Sequence, residues 1–412
     1  MNNISLSSIV ILLSEIFCCL SMQNESLVDA HFVALACKMN RQWLFILFIN
    51  QHRVTSPTEC MHLMRLVVHD DKGGVYILMS KIITVVSNQL LGRHLARIRE
   101  VAEPLGFEVY DYQSPAEIRQ TENLIHLKET EILYSPHEDL IEEADHLKWC
   151  ASPWAGADNF TKSGVLENKD IILTNSSGAY GVTIAEHVMM VTLELLRRQM
   201  EYVQIVHDHQ WKRDLTIRSI KGSRITLIGT GDIGAETALR LRGFEPECII
   251  GVNRSGVYHK ERTGRGLENP FDQIVTKENL PEVLAKTDIL VMSLPGTEHT
   301  RKYLGAEEIS YLSPDAYVIN VGRGTTIDQK ALLQALSEGR IAGAALDVFE
   351  EEPIPQNDPA WDCRDLLITP HISGNMTLGY TGDYCVKLFC DNLVRYSKGE
   401  KLHQIVDIRE GY

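Results

Sequence analysis

The sequence lacks an apolar run long enough to cross a membrane, and it lacks a recognisable export signal. A membrane-spanning helix needs about 20 apolar residues in a row, but the longest candidate is interrupted by Ser14 and Glu15. An export signal carries positive charge ahead of its apolar segment, whereas the first lysine or arginine of this chain is Lys38. We therefore predict a cytoplasmic protein that does not associate with membranes.

Cysteine occurs without the spacing of a disulfide framework or a zinc site. The nine cysteines are an odd number, Cys18 and Cys19 are adjacent, and no CxxC pair is present. Free thiols in a reducing cytosol are the simpler interpretation. His207 and His209 are poor metal ligands as a pair, because side chains two residues apart on a helix point to different faces. We therefore predict no metal site.

Positive charge is scarce, since 40 lysines and arginines stand against 55 aspartates and glutamates, for a net charge of −15. Such a chain is repelled by nucleic-acid phosphates and anionic lipids unless it carries a local basic stripe. We find no such stripe and predict that the protein does not bind nucleic acid. With 44% hydrophobic and 23% charged residues, the composition is that of an ordinary globular protein. Its 412 residues leave room for two or three domains.

The first 78 residues differ from the rest of the chain. They contain four of the nine cysteines and carry a net charge of −1, from five lysines and arginines against six aspartates and glutamates. From Met79 the pattern changes to a β-rich run followed by a helical stretch, which is how many α/β domains begin. We predict that residues 1–78 are an extension outside this domain, with Met79 as a candidate native start. The alternative is a translated but poorly ordered extension.

After residue 79, short apolar runs alternate with amphipathic stretches, which indicates parallel sheets with crossover helices. The predicted strands are residues 82–87, 108–112, 131–134, 170–175, 224–229, 248–253, 289–294, 317–321, 343–348 and 367–369. A long predicted helix, residues 184–200, separates the first four strands from the last six, and another, residues 384–396, closes the chain. The last six strands fit an α/β fold with a doubly wound, Rossmann-type parallel sheet.

A glycine-rich turn, GTGDIG (229–234), follows the apolar strand ITLI and opens a predicted helix at residues 235–241. The amides at such a helix start bind a pyrophosphate, and a side chain at the glycines would block its approach. The expected cofactor contacts in this turn are Gly229, Gly231, Asp232, Ile233 and Gly234. The alternative is a glycine-rich turn that binds no ligand.

The end of the next strand indicates which dinucleotide binds. An acidic residue there accepts hydrogen bonds from the adenosine ribose and repels a 2′-phosphate, but this strand ends in Asn253, Arg254 and Ser255. A guanidinium and a hydroxyl suit a phosphate. We therefore predict NADP(H) in preference to NAD(H). If Arg254 instead stacks on the adenine, the preference would be slight.

Polar residues follow three later strands, in the segments NVGRG, LDVFEEEP and TPHISG. Ligands of doubly wound sheets bind at the carboxyl ends of strands, so we expect Arg323, Glu352 and His371 to converge there. Arginine binds a carboxylate through two hydrogen bonds, histidine exchanges a proton near neutral pH, and a carboxylate orients the histidine. With a hydride carrier, these groups predict reversible reduction of a 2-oxo acid. Taken singly, each has a structural alternative: a helix-cap partner, a solvated glutamate and a buried turn histidine.

Five segments resemble those of the D-isomer-specific 2-hydroxyacid dehydrogenases, in order and at matching spacing: GTGDIG, LPGTEHTRKYL, INVGRGTTID, GRIAGAALDVFEEEP and ITPHISG. NSSGAYGVTIAEH and VDIREGY are most similar to a little-characterised, often NADP-using branch of that family. The resemblance implies that Arg323 binds the substrate carboxylate and carbonyl, that His371 is the general acid and base, and that Glu352 is its partner.

The resemblance also implies contacts outside these motifs. The additional cofactor contacts are Leu294 and Pro295 as an apolar wall, Val321, Gly322, and Asp347 at the nicotinamide carboxamide. In the loop SPWAGAD (152–158), backbone amides near Ala155 and Gly156 would meet the substrate carboxylate. Trp154 in that loop would either narrow the pocket or pack against the protein.

The family's topology implies a discontinuous, smaller flavodoxin-like α/β substrate domain made of residues 79–176 and 372–412. The dinucleotide-binding domain, residues 177–371, would be inserted between these parts, and pairing of cofactor domains would make a homodimer. A second class of function is a dinucleotide-sensing, corepressor-like binding protein of the same fold. The complete set of arginine, glutamate and histidine favours the enzyme, whose particular 2-oxo acid the sequence leaves open.

Overall fold

A computed structural model of the protein describes residues 81–411 apart from residues 168 and 378; of residues 1–80 it describes only the backbone of four strands. These strands are β1 (Phe32–Met39), β2 (Gln42–Ile49), β3 (Met64–His69) and β4 (Val75–Leu78). Each pairs with the next in an antiparallel sheet. The candidate start at Met79 lies outside the described residues, and the predicted nature of residues 1–78 stays a prediction.

The first sheet of residues 81–411 is parallel and has five strands in the order β6-β5-β7-β8-β9. They are β5 (Lys81–Val86), β6 (Phe107–Tyr112), β7 (Thr130–Tyr134), β8 (Trp149–Ala151) and β9 (Ile172–Thr174). This is the flavodoxin-like order, in which the connections reverse between the first and third strands of the sheet. A flavodoxin-like sheet was expected here, and the topology confirms it.

The second sheet is parallel and has seven strands in the order β12-β11-β10-β13-β14-β15-β16. They are β10 (Arg224–Ile228), β11 (Cys248–Val252), β12 (Gln273–Val275), β13 (Ile289–Met292), β14 (Tyr317–Asn320), β15 (Gly343–Leu346) and β16 (Leu366–Ile368). All seven strands are parallel, but successive strands are added to one edge of the sheet up to β12 and to the opposite edge from β13 onward. The switch point between β10 and β13 is where a Rossmann-type sheet opens a crevice for its ligand. The predicted Rossmann-type α/β fold is thereby confirmed.

Two strands, β8 and β12, are not indicated by the sequence pattern. Each is three residues long, as are β9 and β16, but the segments WCA and QIV lack the aliphatic runs IIL and LLI that mark those two strands in the sequence. Pairing creates them instead, because β8 lies between β7 and β9, and β12 extends the sheet beside β11.

The helices cover both sheets. They are α1 (Gly92–Ala102), α2 (Pro115–Ile118), α3 (Leu124–Lys128), α4 (Asp158–Lys162), α5 (Gly181–Leu196), α6 (Gln199–His207), α7 (Asp232–Leu241), α8 (Leu280–Leu284), α9 (Ala306–Tyr311), α10 (Gln329–Ser337) and α11 (Gly379–Ser397). The prediction of one helix over residues 184–200 is wrong at its end. Arg198 adopts a left-handed backbone conformation with φ of 53°, and the Arg218 amide donates to the carbonyl oxygen of Leu196, so α5 ends there and α6 follows.

The cores explain why these strands are so uniformly apolar. Neighbouring residues of β13, Leu290 and Val291, are both buried but belong to different clusters, as expected for a parallel sheet covered on both faces. In the first sheet, Trp149 of β8 is fully buried and stacks on Phe389 and Tyr396 of α11, with ring centroids 5.2 and 5.6 Å apart. The last helix therefore packs on the first sheet. In the described part of the chain, no helix combines the length and apolarity needed to span a bilayer.

Candidate active site

The glycine-rich turn has the shape of a phosphate cradle. It follows β10, and α7 begins directly after its N-cap, Gly231. Gly229 has a φ of 106°, and a side chain at Gly234 would collide with the Gly229 carbonyl oxygen. A side chain at Gly231 would meet no atom within 4 Å, so this position borders open space. The turn thus presents the start of a helix to a space that an anionic group can enter.

Asp232, the first residue of α7, points its carboxylate at protein amides. One oxygen accepts a hydrogen bond from the Gly181 amide at 2.8 Å and the other from the Gly264 amide at 2.7 Å. Burial raises the pKa of Asp232, and these two amides offset part of that effect. The side chain therefore ties the start of α5 and the loop after β11 to the turn.

The predicted selectivity residues lie at the end of β11. The Asn253 carboxamide oxygen accepts hydrogen bonds from the amides of Ser255 and Gly256 at 3.0 and 2.8 Å. Asn253 thus shapes the turn that displays its neighbours. Arg254 is 75% exposed, and its guanidinium lies 3.7 Å from the Glu410 carboxylate. A positively charged side chain therefore stands at the expected 2′-phosphate position, beside an acidic residue of the C-terminal segment that the sequence patterns did not single out.

His371 and Glu352 form the pair that was expected. The Nδ1 atom of His371 lies 2.6 Å from Oε2 of Glu352, and Oε1 accepts the Phe349 amide at 2.8 Å. Burial alone would raise the pKa of Glu352, but its hydrogen bonds to His371 and Phe349 outweigh that effect and hold the pKa below its ordinary value. The charge of Arg323 lowers the same pKa further. Arg323 therefore lies close enough to Glu352 for its charge to act on that carboxylate.

Asp347 organises the turn that carries His371. Its Oδ1 accepts hydrogen bonds from the Thr369 hydroxyl at 2.6 Å and the Ile372 amide at 2.9 Å, and its Oδ2 accepts the Ser373 amide at 3.0 Å. Burial would raise the pKa of Asp347, but these hydrogen bonds keep it below its ordinary value. A buried, ionised carboxylate therefore fixes the backbone on both sides of His371.

Arg323 contacts the loop SPWAGAD, and its main partner there is a residue that the sequence patterns did not indicate. Its Nε donates to Oδ2 of Asp158 at 2.8 Å, and its Nη1 donates to the Gly322 carbonyl oxygen at 2.9 Å. A side chain at Gly156 would collide with the guanidinium. Asp158 is the last residue of the loop SPWAGAD, whose backbone amides near Ala155 and Gly156 were expected to meet the substrate. The signal that would have found it is a carboxylate two residues after the glycine expected beside the arginine.

The remaining predicted contacts surround this site. Gly322 packs so tightly that a side chain there would lie 2.7 Å from the Leu294 amide nitrogen, which brings the ends of β13 and β14 together. Val321 is buried. The Ala155 carbonyl oxygen accepts a hydrogen bond from Asn175 at 2.7 Å, and this bond holds the loop SPWAGAD in place. Trp154 is 39% exposed.

Comparison with protein-family models matches residues 189–373 to "D-isomer specific 2-hydroxyacid dehydrogenase, NAD binding domain". Among curated proteins, the chain is similar to the glyoxylate reductase of Thermofilum pendens, with 32% identity over 272 residues, covering 64% of this chain and 75% of that one.

Two solved structures are also similar. A D-isomer specific 2-hydroxyacid dehydrogenase family protein from Aeromonas salmonicida has a TM-score of 0.68 and 28% identity, covering 80% of this chain and all of its own. The NADPH-dependent glyoxylate/hydroxypyruvate reductase of Sinorhizobium meliloti, solved with NADP and sulfate, has a TM-score of 0.66 and 26% identity, covering 81% of this chain and all of its own.

Proposed function

Because the chain belongs to the D-isomer-specific 2-hydroxyacid dehydrogenase family, we propose that it reduces a 2-oxo acid to the D-2-hydroxy acid and prefers NADPH as the reductant. Oxidoreductase activity on 2-oxo and 2-hydroxy acids with a nicotinamide dinucleotide follows from family membership. The D-configuration, the preference for NADPH and the roles of individual residues are the proposal.

One observation carries the catalytic assignment: the contact of 2.6 Å between His371 Nδ1 and Glu352 Oε2. A carboxylate at one ring nitrogen fixes the tautomer and supports the protonated ring, which leaves the other nitrogen as the group that acts on a ligand. We assign His371 as the acid that gives its Nε2 proton to the oxygen of the 2-oxo group. In the reverse direction the same nitrogen removes the hydroxyl proton.

Arg323 is assigned as the residue that binds the substrate carboxylate and polarises its carbonyl group. A guanidinium offers paired N–H donors that match a carboxylate. The neighbouring amides of Ala155 and Gly156 would complete the anion site. The packing of Gly156 against the guanidinium supports this assignment, because it brings the substrate loop and the arginine into contact.

The residues of the glycine-rich turn fit a dinucleotide. The open space beside Gly231 and the tight packing of Gly234 leave room for a pyrophosphate at the start of α7. Reduced nicotinamide would supply the hydride when bound. Leu294, Pro295, Val321, Gly322 and Asp347 are proposed to border its ring. The exposed Arg254, with Ser255 next to it, supports NADP(H) as the preferred form, and the Sinorhizobium meliloti relative was solved with NADP.

Glyoxylate and hydroxypyruvate are the first substrates to test, because two of the three similar proteins named above are a glyoxylate reductase and a glyoxylate/hydroxypyruvate reductase. We propose to follow NADPH and NADH oxidation with these two acids, pyruvate, phenylpyruvate and branched 2-oxo acids, and to determine the configuration of the product. We expect turnover with at least one acid and a higher kcat/KM for NADPH. Tight dinucleotide binding without any turnover would refute the enzyme and favour a dinucleotide sensor.

The proposal includes a homodimer in the cytoplasm. A continuous segment from α6 to residue 217 displays apolar side chains, with Val206 68% and Trp211 91% exposed. Large exposed apolar patches indicate a protein interface, and a second copy would cover this one. The free cysteines in the described part of the chain agree with a reducing compartment.

A further inference from the structure

The guanidinium of Arg323 is held from several sides by the substrate loop and its own strand end. Asp158 binds Nε at 2.8 Å, with both side chains about one-third exposed or less, at 31% and 26%. Gly156 packs against the guanidinium at Nη2, and a side chain at Gly296 would lie 3.0 Å from Cγ of Arg323. The arginine therefore has little freedom to rotate.

The hydrogen bonds leave the correct donors for a substrate. Arginine has five N–H groups in a planar fork. One donates to Asp158 and one to the Gly322 carbonyl, which leaves three beyond these two contacts. Three donors are what a carboxylate and a neighbouring carbonyl oxygen need together. Asp158 binds the Nε edge, so it does not take the terminal nitrogens that a carboxylate grips in pairs.

Asp158 is charged when it does this. Burial alone would raise its pKa, but the charge of Arg323 and the hydrogen bond to it outweigh burial and keep the pKa below its ordinary value. Its other ionic partner, Lys162, lies 3.3 Å from Oδ1 and is exposed. The carboxylate thus joins a surface lysine to the arginine of the site.

We propose that Asp158 is a positioning residue that holds the Arg323 guanidinium so that its terminal nitrogens face the 2-oxo acid. This inference rests on the proposed function. It predicts that losing Asp158 impairs use of the 2-oxo acid and leaves dinucleotide binding intact. A competing role, in which Asp158 occupies the arginine and must be displaced by substrate, predicts the opposite: a lower KM once the carboxylate is removed.

The test compares D158N with K162M, using glyoxylate and NADPH. D158N removes the charge at nearly constant size, whereas K162M removes the other partner of Asp158 and leaves its contact with Arg323. Because a misplacement of about 1 Å costs up to about 100-fold in rate, we expect kcat/KM for glyoxylate to fall about 10- to 100-fold in D158N. We expect K162M to behave as the wild type and all three proteins to bind NADPH equally.

Two further variants separate positioning from a general structural or electrostatic role. In an R323Q background, D158N should cause no additional loss, because it acts through the arginine; losses that multiply would overturn the proposal. D158E keeps the charge but moves the carboxylate, so positioning predicts an intermediate loss, whereas a purely electrostatic role predicts none. D158E also supplies the test if D158N fails to bind NADPH.

The outcomes distinguish this inference from the function on which it rests. A wild-type protein that turns over none of the 2-oxo acids refutes the proposed function before any variant is made. A wild type that reduces glyoxylate, with D158N equally active or more active, refutes the role of Asp158 and leaves the function standing.

Discussion

At the scale of the residue, His371 shows how one buried carboxylate can shape a site. His371 has a φ of 52°, in the left-handed region that histidine enters more readily than most residues but at some cost. Its amide donates to the Asp347 carbonyl oxygen at 2.9 Å, and the Asp347 carboxylate binds the two following amides. The imidazole is thereby placed against Glu352 by its backbone as well as by its own hydrogen bond.

The first prediction concerns E352Q and the pH dependence of reduction. Since the pKa of Glu352 lies below its ordinary value, Glu352 is negatively charged across the neutral range and favours the protonated ring of His371. Removing that charge should lower the pH above which reduction fails. The measurement is kcat/KM for the 2-oxo acid between about pH 5 and pH 10, on both sides of neutral pH. E351Q, which changes the adjacent exposed glutamate, is the control; a profile in E352Q that matches it would contradict the pairing.

At the scale of the element, the start of α7 combines packing and open space within four residues. Gly234 is needed because the helix approaches the Gly229 carbonyl, whereas no atom surrounds the missing side chain of Gly231. Glycine is thus suited to the two positions for different reasons. Gly234 is required by packing, whereas the open space at Gly231 is what the proposed cofactor needs, and this difference can be tested.

The second prediction is that G231A folds normally but binds NADPH weakly. Its new methyl group would enter open space in the free protein and obstruct the pyrophosphate, so we expect Kd to rise at least about tenfold with an unchanged Tm. G243A is the matched control, because Gly243 also has no atom within 4 Å of a side-chain position and lies after α7, away from the turn. NADPH affinity in G231A equal to that of G243A would remove the turn from the binding site.

The C-terminal segment connects the two sheets. Ile405 forms an antiparallel bridge with Thr174 of β9, which anchors the segment to the first sheet. Five residues later, Glu410 lies 3.7 Å from Arg254 at the end of β11. A side chain at Gly411 would lie 3.8 Å from Thr297, in the loop after β13. The segment therefore reaches two cofactor-side loops of the second sheet.

The third prediction is that E410Q favours NADPH. A 2′-phosphate at Arg254 must compete with Glu410 and is repelled by its charge, so E410Q should tighten NADPH binding about two- to fivefold, the size expected for an exposed ion pair. NADH has no such phosphate, and its affinity should not change. E400Q is the control, since Glu400 forms an exposed pair with Arg395 at 3.3 Å. Equal tightening for NADH and NADPH would place the phosphate elsewhere.

At the scale of the whole molecule, the three most exposed large apolar side chains of the described residues lie on one segment of the chain. Val203 and Val206 lie on α6, and Trp211 and Ile217 lie between α6 and β10; each is 45% exposed or more. A few such residues on one segment are costly in a monomer and ordinary in an interface core. This arrangement is the physical basis for expecting a second copy against this segment.

The fourth prediction is that V206D/W211D is monomeric. Two buried charges at an apolar interface would prevent association, so light scattering after size-exclusion chromatography should show a dimer for the wild type and a monomer for the variant. I125D is the control, because Ile125 is an exposed apolar residue, at 42%, that lies on α3 and not on the segment between α6 and residue 217. A dimeric double variant, or a monomeric wild type, would exclude this interface.

Local pattern was sufficient for much of the fold. All ten predicted strands overlap observed ones, because a strand that is buried on both faces consists of a nearly continuous run of apolar residues. The glycine-rich turn could also be predicted, since its need for small residues arises from contacts within the turn itself, between Gly234 and the Gly229 carbonyl. The end of α5 before Arg198 could not be predicted, because the group that binds its last carbonyl is the amide of Arg218, twenty residues after Arg198 in the chain.

The sequence by itself was enough to single out the candidate reactive groups, Arg323, Glu352 and His371, because each follows a strand whose carboxyl end must face the ligand crevice. Only the tertiary structure decided what holds them. Asp158 and Arg323 are separated by 165 positions, and Arg254 and Glu410 by a similarly long stretch of chain. Contacts of that kind arise from the packing of two sheets against each other's loops, and no periodicity in the chain records which polar residues meet there.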